Sequence, residues 1–185
     1  IHEVVNADGT IAVAAAVGVN NLFGPSWARI ESNELRSHSL DGAPPIPDRK
    51  LSVLVFSPGG GTTPIAYTTQ MEELASHGYL VVGLVHTYEA PFALFPDGRV
   101  VTAANDYWSR FRSEIPESRD FEQAISDVLA QDIRFVIEKL IDLESDSTSM
   151  FHRKLETARF GAFGHSRGGR TAARVCQLDR RVKAC

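Results

Sequence analysis

The sequence contains Gly164-His165-Ser166-Arg167-Gly168, followed by Gly169, between an apolar run and a segment of helical composition. A serine hydroxyl of ordinary acidity is a weak nucleophile. It becomes useful only when the backbone exposes it and a base activates it. A Gly-x-Ser-x-Gly pentapeptide suits the first requirement, because a buried strand turning sharply into a helix lifts the serine Oγ above the carboxyl edge of a sheet. The serine then sits in strained backbone space, and a side chain two residues to either side would clash, so both flanks must be glycine. Taken alone the pentapeptide is weak, since loops use glycine and serine freely. Preceded by residues 158–163 (ARFGAF) and followed by a helical segment, it marks Ser166 as a nucleophile rather than a turn serine.

Attack on an ester carbonyl puts negative charge on oxygen, and two aligned backbone N–H groups stabilise it. One donor is expected from Arg167, whose amide opens the helix after the nucleophile. The other is expected from Ser57-Pro58-Gly59-Gly60-Gly61, with Gly60 as the candidate. A phosphate-cradling loop is the rival reading. It fails on detail, because no Gly-Lys-Ser/Thr follows and the glycine spacing is not that of a dinucleotide fingerprint. A purely structural glycine turn stays open.

The elements needed to position these groups can be read from patterning. Residues 51–57 (LSVLVFS) form a near-continuous apolar run, as expected for a strand buried on both faces. Residues 65–77 carry Ile65, Met71, Leu74 and Ala75 at helical spacing, with Gly78 as a stop. Residues 79–85 (YLVVGLV) read as a second buried strand. Residues 86–118 are less regular, with a hairpin expected around Pro96-Asp97-Gly98. A helix is predicted over 119–143 from an apolar stripe that includes Phe121, Ile125, Ile133 and Ile137. A strand over 158–163, a helix through 171–178 and a strand from Val182 complete the series. Upstream, residues 10–21 read as helix or strand, residues 33–40 as extended, and residues 41–48, with three prolines, as a surface connection. The expected organisation is an N-terminal extension and linker over 1–50, packing on an α/β core over 51–185, in which helices cover both faces of a mostly parallel sheet.

Together, LSVLVFSPGGG, ELASHGYLVVGLVH and FGHSRGG resemble the platelet-activating-factor acetylhydrolase group of α/β-hydrolases, which includes many lipase- and cutinase-like esterases. The resemblance runs over residues 51–185. It implies an α/β-hydrolase fold, Ser166 as nucleophile, Gly60 and Arg167 at the oxyanion hole, and no metal or organic cofactor. Many members carry His where this chain has Pro58, which touches the conformation of the loop but leaves the Gly60 amide.

The serine also needs a base, usually His, oriented by a carboxylate, and in this fold both follow the serine in sequence. After Ser166 come only Asp179, placed as a helix-end residue, and no histidine. All six histidines precede the serine. The core therefore reads as truncated before the triad acid and His, with both expected downstream or from a second chain, and the 185-residue piece alone is expected to be inactive. His86, at the end of a strand on the catalytic edge, is a candidate for substrate contact, against a structural hydrogen-bonding role. Phe92 and Phe95 lie in an aromatic stretch that is either an acyl-chain wall or packing beneath a long connection. Arg167, Arg170 and Arg174 share a helix face and are expected to pair with acidic residues such as Asp127 or Asp132 rather than to bind an anion.

Bulk numbers narrow the partners. The chain has 185 residues, 43% of them apolar, and 19 basic against 23 acidic side chains give −4, with no basic block to favour nucleic acid or a membrane surface. Residues 11–19 are too short to span a bilayer. Cys176 and Cys185 match no metal pattern and read as buried free thiols, with pairing as the alternative. The compartment stays open, with a lean toward secretion. The resulting expectation is a serine esterase acting through an acyl-enzyme on a small-molecule or lipid-like ester. A serine peptidase or amide hydrolase on the same fold, and a non-catalytic hydrolase-like binding module, are the alternatives.

Overall fold

Two short strands, Val4–Val5 (β1) and Ile11–Ala12 (β2), pair antiparallel at the start of the chain. The computed structural model describes residues 4–5, 11–12, 38–40, 42–95, 97–103, 107–116 and 120–185. Of the segment read as helix or strand over 10–21, Ile11 and Ala12 are strand and the remainder lies outside the described residues, as does most of 33–40. Ser39 docks on the core through its N–H and Oγ, which both donate to Glu72, at 2.9 and 2.7 Å.

The core sheet is built from Leu51–Ser57 (β3), Tyr79–Gly83 (β4), Leu155–Gly164 (β7) and Val182–Ala184 (β8), in spatial order β4-β3-β7-β8 with every pair parallel. β3 is flanked on both sides, which is why Val53, Val55 and Phe56 are all fully buried in a run with little polar interruption. Its register against β7 shifts between Ser52 and Val53 and then runs evenly to Ser57 opposite Gly164. That register sets the end of β3 beside the Gly-x-Ser-x-Gly segment.

A 3-10 turn, Pro64–Tyr67, leads into Thr68–Ser76 (α1). Proline suits a first helical turn because its missing N–H would be unpaired there. Gly78, at φ +89°, stops the helix as expected. A hairpin of Phe92–Leu94 (β5) and Val100–Thr102 (β6) follows where the Pro-Asp-Gly turn predicts one, then Tyr107–Glu114 (α2). Helix α2 departs from the irregular segment expected there. YWSRFRSE mixes aromatic rings with cations and shows no clean apolar stripe, so patterning does not declare it. It packs through Phe111, whose ring lies 6.3 Å from that of Phe121.

Phe121–Ser145 (α3) is N-capped by Asp120, whose carboxylate accepts from the N–H groups of Glu122 and Gln123 at 2.8 and 3.2 Å. Its stripe of Ile125, Leu129, Ile133, Ile137 and Leu140 is buried. Arg167–Leu178 (α4) runs beside it and contributes Ala172 and Val175 to the same core. The two faces of the sheet are covered by different helices. A Cβ on Gly83 would strike Pro64 and approach Met71, whereas Val82, pointing the opposite way, lines a groove with Val128, Leu129 and Val136 of α3.

Cys176 and Cys185 form a disulfide, which corrects the free-thiol expectation. The turn at 179–182, closed by the Val182 N–H donating to Asp179 O at 3.0 Å, brings β8 back along α4 and the two sulfurs together. Among the described residues, no helix is long and apolar enough to cross a membrane.

Candidate active site

Ser166 sits between the last residues of β7 and the first turn of α4 at φ +52°, ψ −118°, a region L-residues avoid. Its side chain is exposed and makes no capping hydrogen bond to the helix it precedes. The flanking glycines are obligatory on contact grounds. A Cβ on Gly164 would stand 2.5 Å from the carbonyl oxygen of Ser57, and one on Gly168 closer still to that atom and to Pro58 O. The His165 N–H donates to the same Ser57 carbonyl at 3.3 Å. The end of β3 is thus the floor on which the serine bend rests.

The glycine loop begins from that floor. Gly59 O accepts from the Thr62 N–H at 3.1 Å and from Thr62 Oγ1 at 2.7 Å, and Gly61 takes φ +69°, so the loop is a closed turn. Tyr67 ties it to the serine bend: its hydroxyl accepts from the Gly59 N–H at 3.3 Å and lies 3.0 Å from His165 Nδ1. Gly60, Ser166 and Arg167 then line one cleft of about 400 Å3, together with Glu122 and Arg170. A groove of about 520 Å3 along β4 and α3 is larger, yet none of the candidate nucleophile and oxyanion residues lines it.

Ion pairs frame the small cleft. Arg167 pairs with the buried Glu89 and, at 3.4 Å, with Glu122. Arg170 reaches Glu122 at 3.5 Å, and Arg174 reaches Asp127 at 2.5 Å. Burial alone would lower the Arg167 pKa and is the largest influence on it, but Glu89 and Glu122 together hold it above its ordinary value. The arginine stripe is therefore matched to carboxylates from α3 and from the turn after β4.

The structure brings Ser166, Gly60 and Arg167 together and leaves His86, Phe92 and Phe95 outside that cleft. His86 is 2% exposed, with Nε2 2.8 Å from Ser57 Oγ and Nδ1 2.7 Å from Asp132 Oδ2. Phe95 lies under the Arg99 guanidinium at the hairpin, 4.9 Å from ring centroid to Cζ, and Phe92 is in β5 opposite Thr102. Among the described residues no imidazole is hydrogen-bonded to Ser166. His38 faces Glu72, His77 bonds the Glu73 carbonyl, and His165 bonds Tyr67. Asp179 caps the end of α4 and pairs with Arg181, as a helix-end residue should. Sequence patterning does not reveal Tyr67, Glu89, Glu122 or the His86 partners Ser57 and Asp132. Glu89, three residues beyond His86 in a turn, carries no periodic signal.

A parallel four-stranded core with helices on both faces and a strained serine at a strand-to-helix bend is an α/β-hydrolase fold. No family model matches the chain. A probable 1-alkyl-2-acetylglycerophosphocholine esterase from Arthroderma benhamiae is 26% identical over 179 residues, covering 96% of this chain and 41% of its own length. A platelet-activating factor acetylhydrolase from Cavia porcellus is 26% identical over 147 residues, covering 72% of this chain and 34% of its own. A ferulic acid esterase structure from Streptomyces cinnamoneus superposes with a TM-score of 0.61 at 34% identity, covering 82% of this chain and 39% of that one. The chain is thus similar, over most of its own length, to platelet-activating-factor acetylhydrolases and related esterases. It spans less than half the length of the relatives it matches.

Proposed function

We propose that this chain carries the nucleophile and oxyanion hole of a serine carboxylic ester hydrolase. Ser166 Oγ attacks the ester carbonyl, and the negative charge that develops on oxygen is received by the N–H groups of Gly60 and Arg167. Collapse expels the alcohol and leaves an acyl group on Ser166; water then attacks the acyl carbon and frees the acid. The observation that carries this reading is the exposed Ser166 at positive φ between two glycines that no other residue can replace. The names of the relatives and of the structural neighbour, all esterases or acetylhydrolases, support ester over amide chemistry.

The general base and its carboxylate partner are assigned to residues outside this chain, following it in a longer polypeptide or on a second chain. Two facts support that assignment. His86 and His165 are bonded to other partners, and the chain spans only part of its relatives. The substrate class comprises short-chain, phospholipid-type and polyester esters. A p-nitrophenyl acyl ester assay of the full-length protein tests the reading. Ser166→Ala abolishes turnover, and the 185-residue chain alone shows almost none. Robust hydrolysis by the short chain, lost in Ser166→Ala, places the base upstream of Ser166. Faster cleavage of anilides than of matched esters makes the protein an amide hydrolase instead.

A further inference from the structure

The contacts Ser57–His86–Asp132 run from a buried hydroxyl to a half-exposed carboxylate and repeat the hydrogen-bond order of a catalytic triad, but Ser57 is 0% exposed and its hydroxyl cannot meet a substrate. A carboxylate only accepts, so His86 donates its Nδ1–H to Asp132, while its Nε2 is hydrogen-bonded to the Ser57 hydroxyl. Ser57 is the residue whose carbonyl supports Gly164 and Gly168, and Gly60 lies three positions further along the chain. Holding the Ser57 side chain therefore holds both the floor of the serine bend and the root of the glycine loop.

Three residues past His86, the buried Glu89 pairs with Arg167, and its Oε1 lies 2.9 Å from where a Cβ on Gly60 would stand. One carboxylate thus packs against both residues expected to supply oxyanion donors. The turn that presents His86 and Glu89 is itself tight. The N–H groups of Glu89 and Ala90 both donate to His86 O, at 3.1 and 2.8 Å, and Tyr88, between His86 and Glu89, adopts φ +70°. A non-glycine residue at positive φ costs free energy and persists only where its surroundings over-determine it.

We propose that the turn over residues 86–90 is the positioning element of the oxyanion hole: His86 sets the strand end from which the glycine loop leaves, and Glu89 sets Arg167 beside Gly60. This rests on the proposed roles of Ser166, Gly60 and Arg167. Donors aimed at a developing charge act only in the transition state, so misplacing them lowers kcat and leaves substrate affinity nearly intact.

The test uses the full-length protein, with kcat and KM on a p-nitrophenyl ester, the inhibition constant of a trifluoromethyl ketone analogue of the tetrahedral state, and thermal melting. Glu89→Gln and Ser57→Ala are each expected to lower kcat about tenfold or more, with KM within about threefold and the ketone weakened in step with kcat. Asp127→Asn, which loses the Arg174 pair between α3 and α4, keeps kcat and ketone affinity. Either positioning variant suffices if the other does not fold. The proposal is overturned if the variants melt earlier but retain wild-type kcat and ketone affinity well below their melting points. It is likewise overturned if KM rises while kcat holds. Ser166→Ala separates the two levels: full activity in that variant removes the nucleophile assignment, whereas its inactivity beside unaffected Glu89→Gln and Ser57→Ala removes only the positioning role.

Discussion

The two ends of α4 are both surrounded by arginine–carboxylate pairs, yet they are built for different purposes. At the start, Ser166 is strained and exposed, its glycine neighbours are pressed against the end of β3, and the partners of Arg167 come from distant segments of the chain. At the end, Asp179 caps the helix in ordinary extended geometry, its hydrogen-bonding partner is two residues away, and Arg134 of α3 adds an ion pair at 3.5 Å. Arg181 donates to it from Nε at 2.9 Å, from Nη2 at 2.6 Å and from its backbone N–H at 3.0 Å. Glu138 adds a 2.7 Å pair to Arg181, and the Cys176–Cys185 disulfide closes the same region covalently. The contrast shows where the molecule tolerates strain. The Ser166 end leaves a hydroxyl without a capping bond and a backbone in a disfavoured well, while the far end has ordinary backbone geometry and is cross-linked. The cross-link lies at the opposite end of α4 from the proposed nucleophile.

Substituting at the glycine seats gives the largest contrast. Gly168→Ala drives a methyl group into the backbone of Ser57 and Pro58, neither of which can rotate away, and is expected to cost about 3 kcal/mol of unfolding free energy in denaturant titration. Substitutions confined to the far end of α4 should leave Ser166 chemistry intact below the melting point. A smaller loss at that end, roughly 2–3 kcal/mol, follows from removing the disulfide as Cys176→Ala with Cys185→Ala, because it closes a short loop in the unfolded chain. If that double variant also loses kcat at low temperature, the two ends are coupled and the reactive end does not stand independently of the cross-linked one.

Acid titration gives the next effect. Arg181, above all through its side-chain hydrogen bonds, lowers the Asp179 pKa from the usual 3.8 to about 2, against a burial contribution that raises it. A carboxylate with a depressed folded-state pKa stabilises the protein above its unfolded value, and that contribution fades as pH falls from near 4 through 2. The expected loss is on the order of 2 kcal/mol, absent in Asp179→Asn, and thermal melts across that window read it. The smallest effect returns to the reactive end. An added Cβ on Gly169 would meet Gly164 O at 3.2 Å, and an alanine raises helix propensity, so Gly169→Ala should shift stability by no more than about 1 kcal/mol. Equal damage from Gly168→Ala and Gly169→Ala would mean that the close approach to β3 is not what demands glycine.

The core strands, the long helix and the serine bend are all legible in the sequence, because each is declared by a local pattern. LSVLVFS is apolar without break, α3 repeats with a period near 3.6, and Gly-x-Ser-x-Gly follows an apolar strand. The observed strands differ from expectation mainly in length: β7 begins at Leu155, upstream of the register shift, and β4 ends at Gly83. The glycine loop is legible for the same reason as the bend, since its composition departs sharply from its surroundings. Tyr67, Glu89, Glu122 and Asp132 are not, because each has its partner far away in sequence. Tyr67 and His165 are 98 residues apart, Glu89 and Arg167 78, and His86 and Asp132 46. No short window contains both members of such a pair. The cysteines fail differently: their spacing is visible, but whether a helix end and a strand end face each other depends on the turn between them.

Local patterning in the chain thus established the α/β alternation, the nucleophile candidate and the glycine loop, because backbone periodicity and the steric demand for glycine act over a few residues. The three-dimensional packing decided which carboxylates face which arginines, that His86 lies beneath the surface against Ser57 rather than in the cleft, and that two thiols meet. Those outcomes depend on how strands are ordered and how helices cross, and that order is set by burial summed over the whole core.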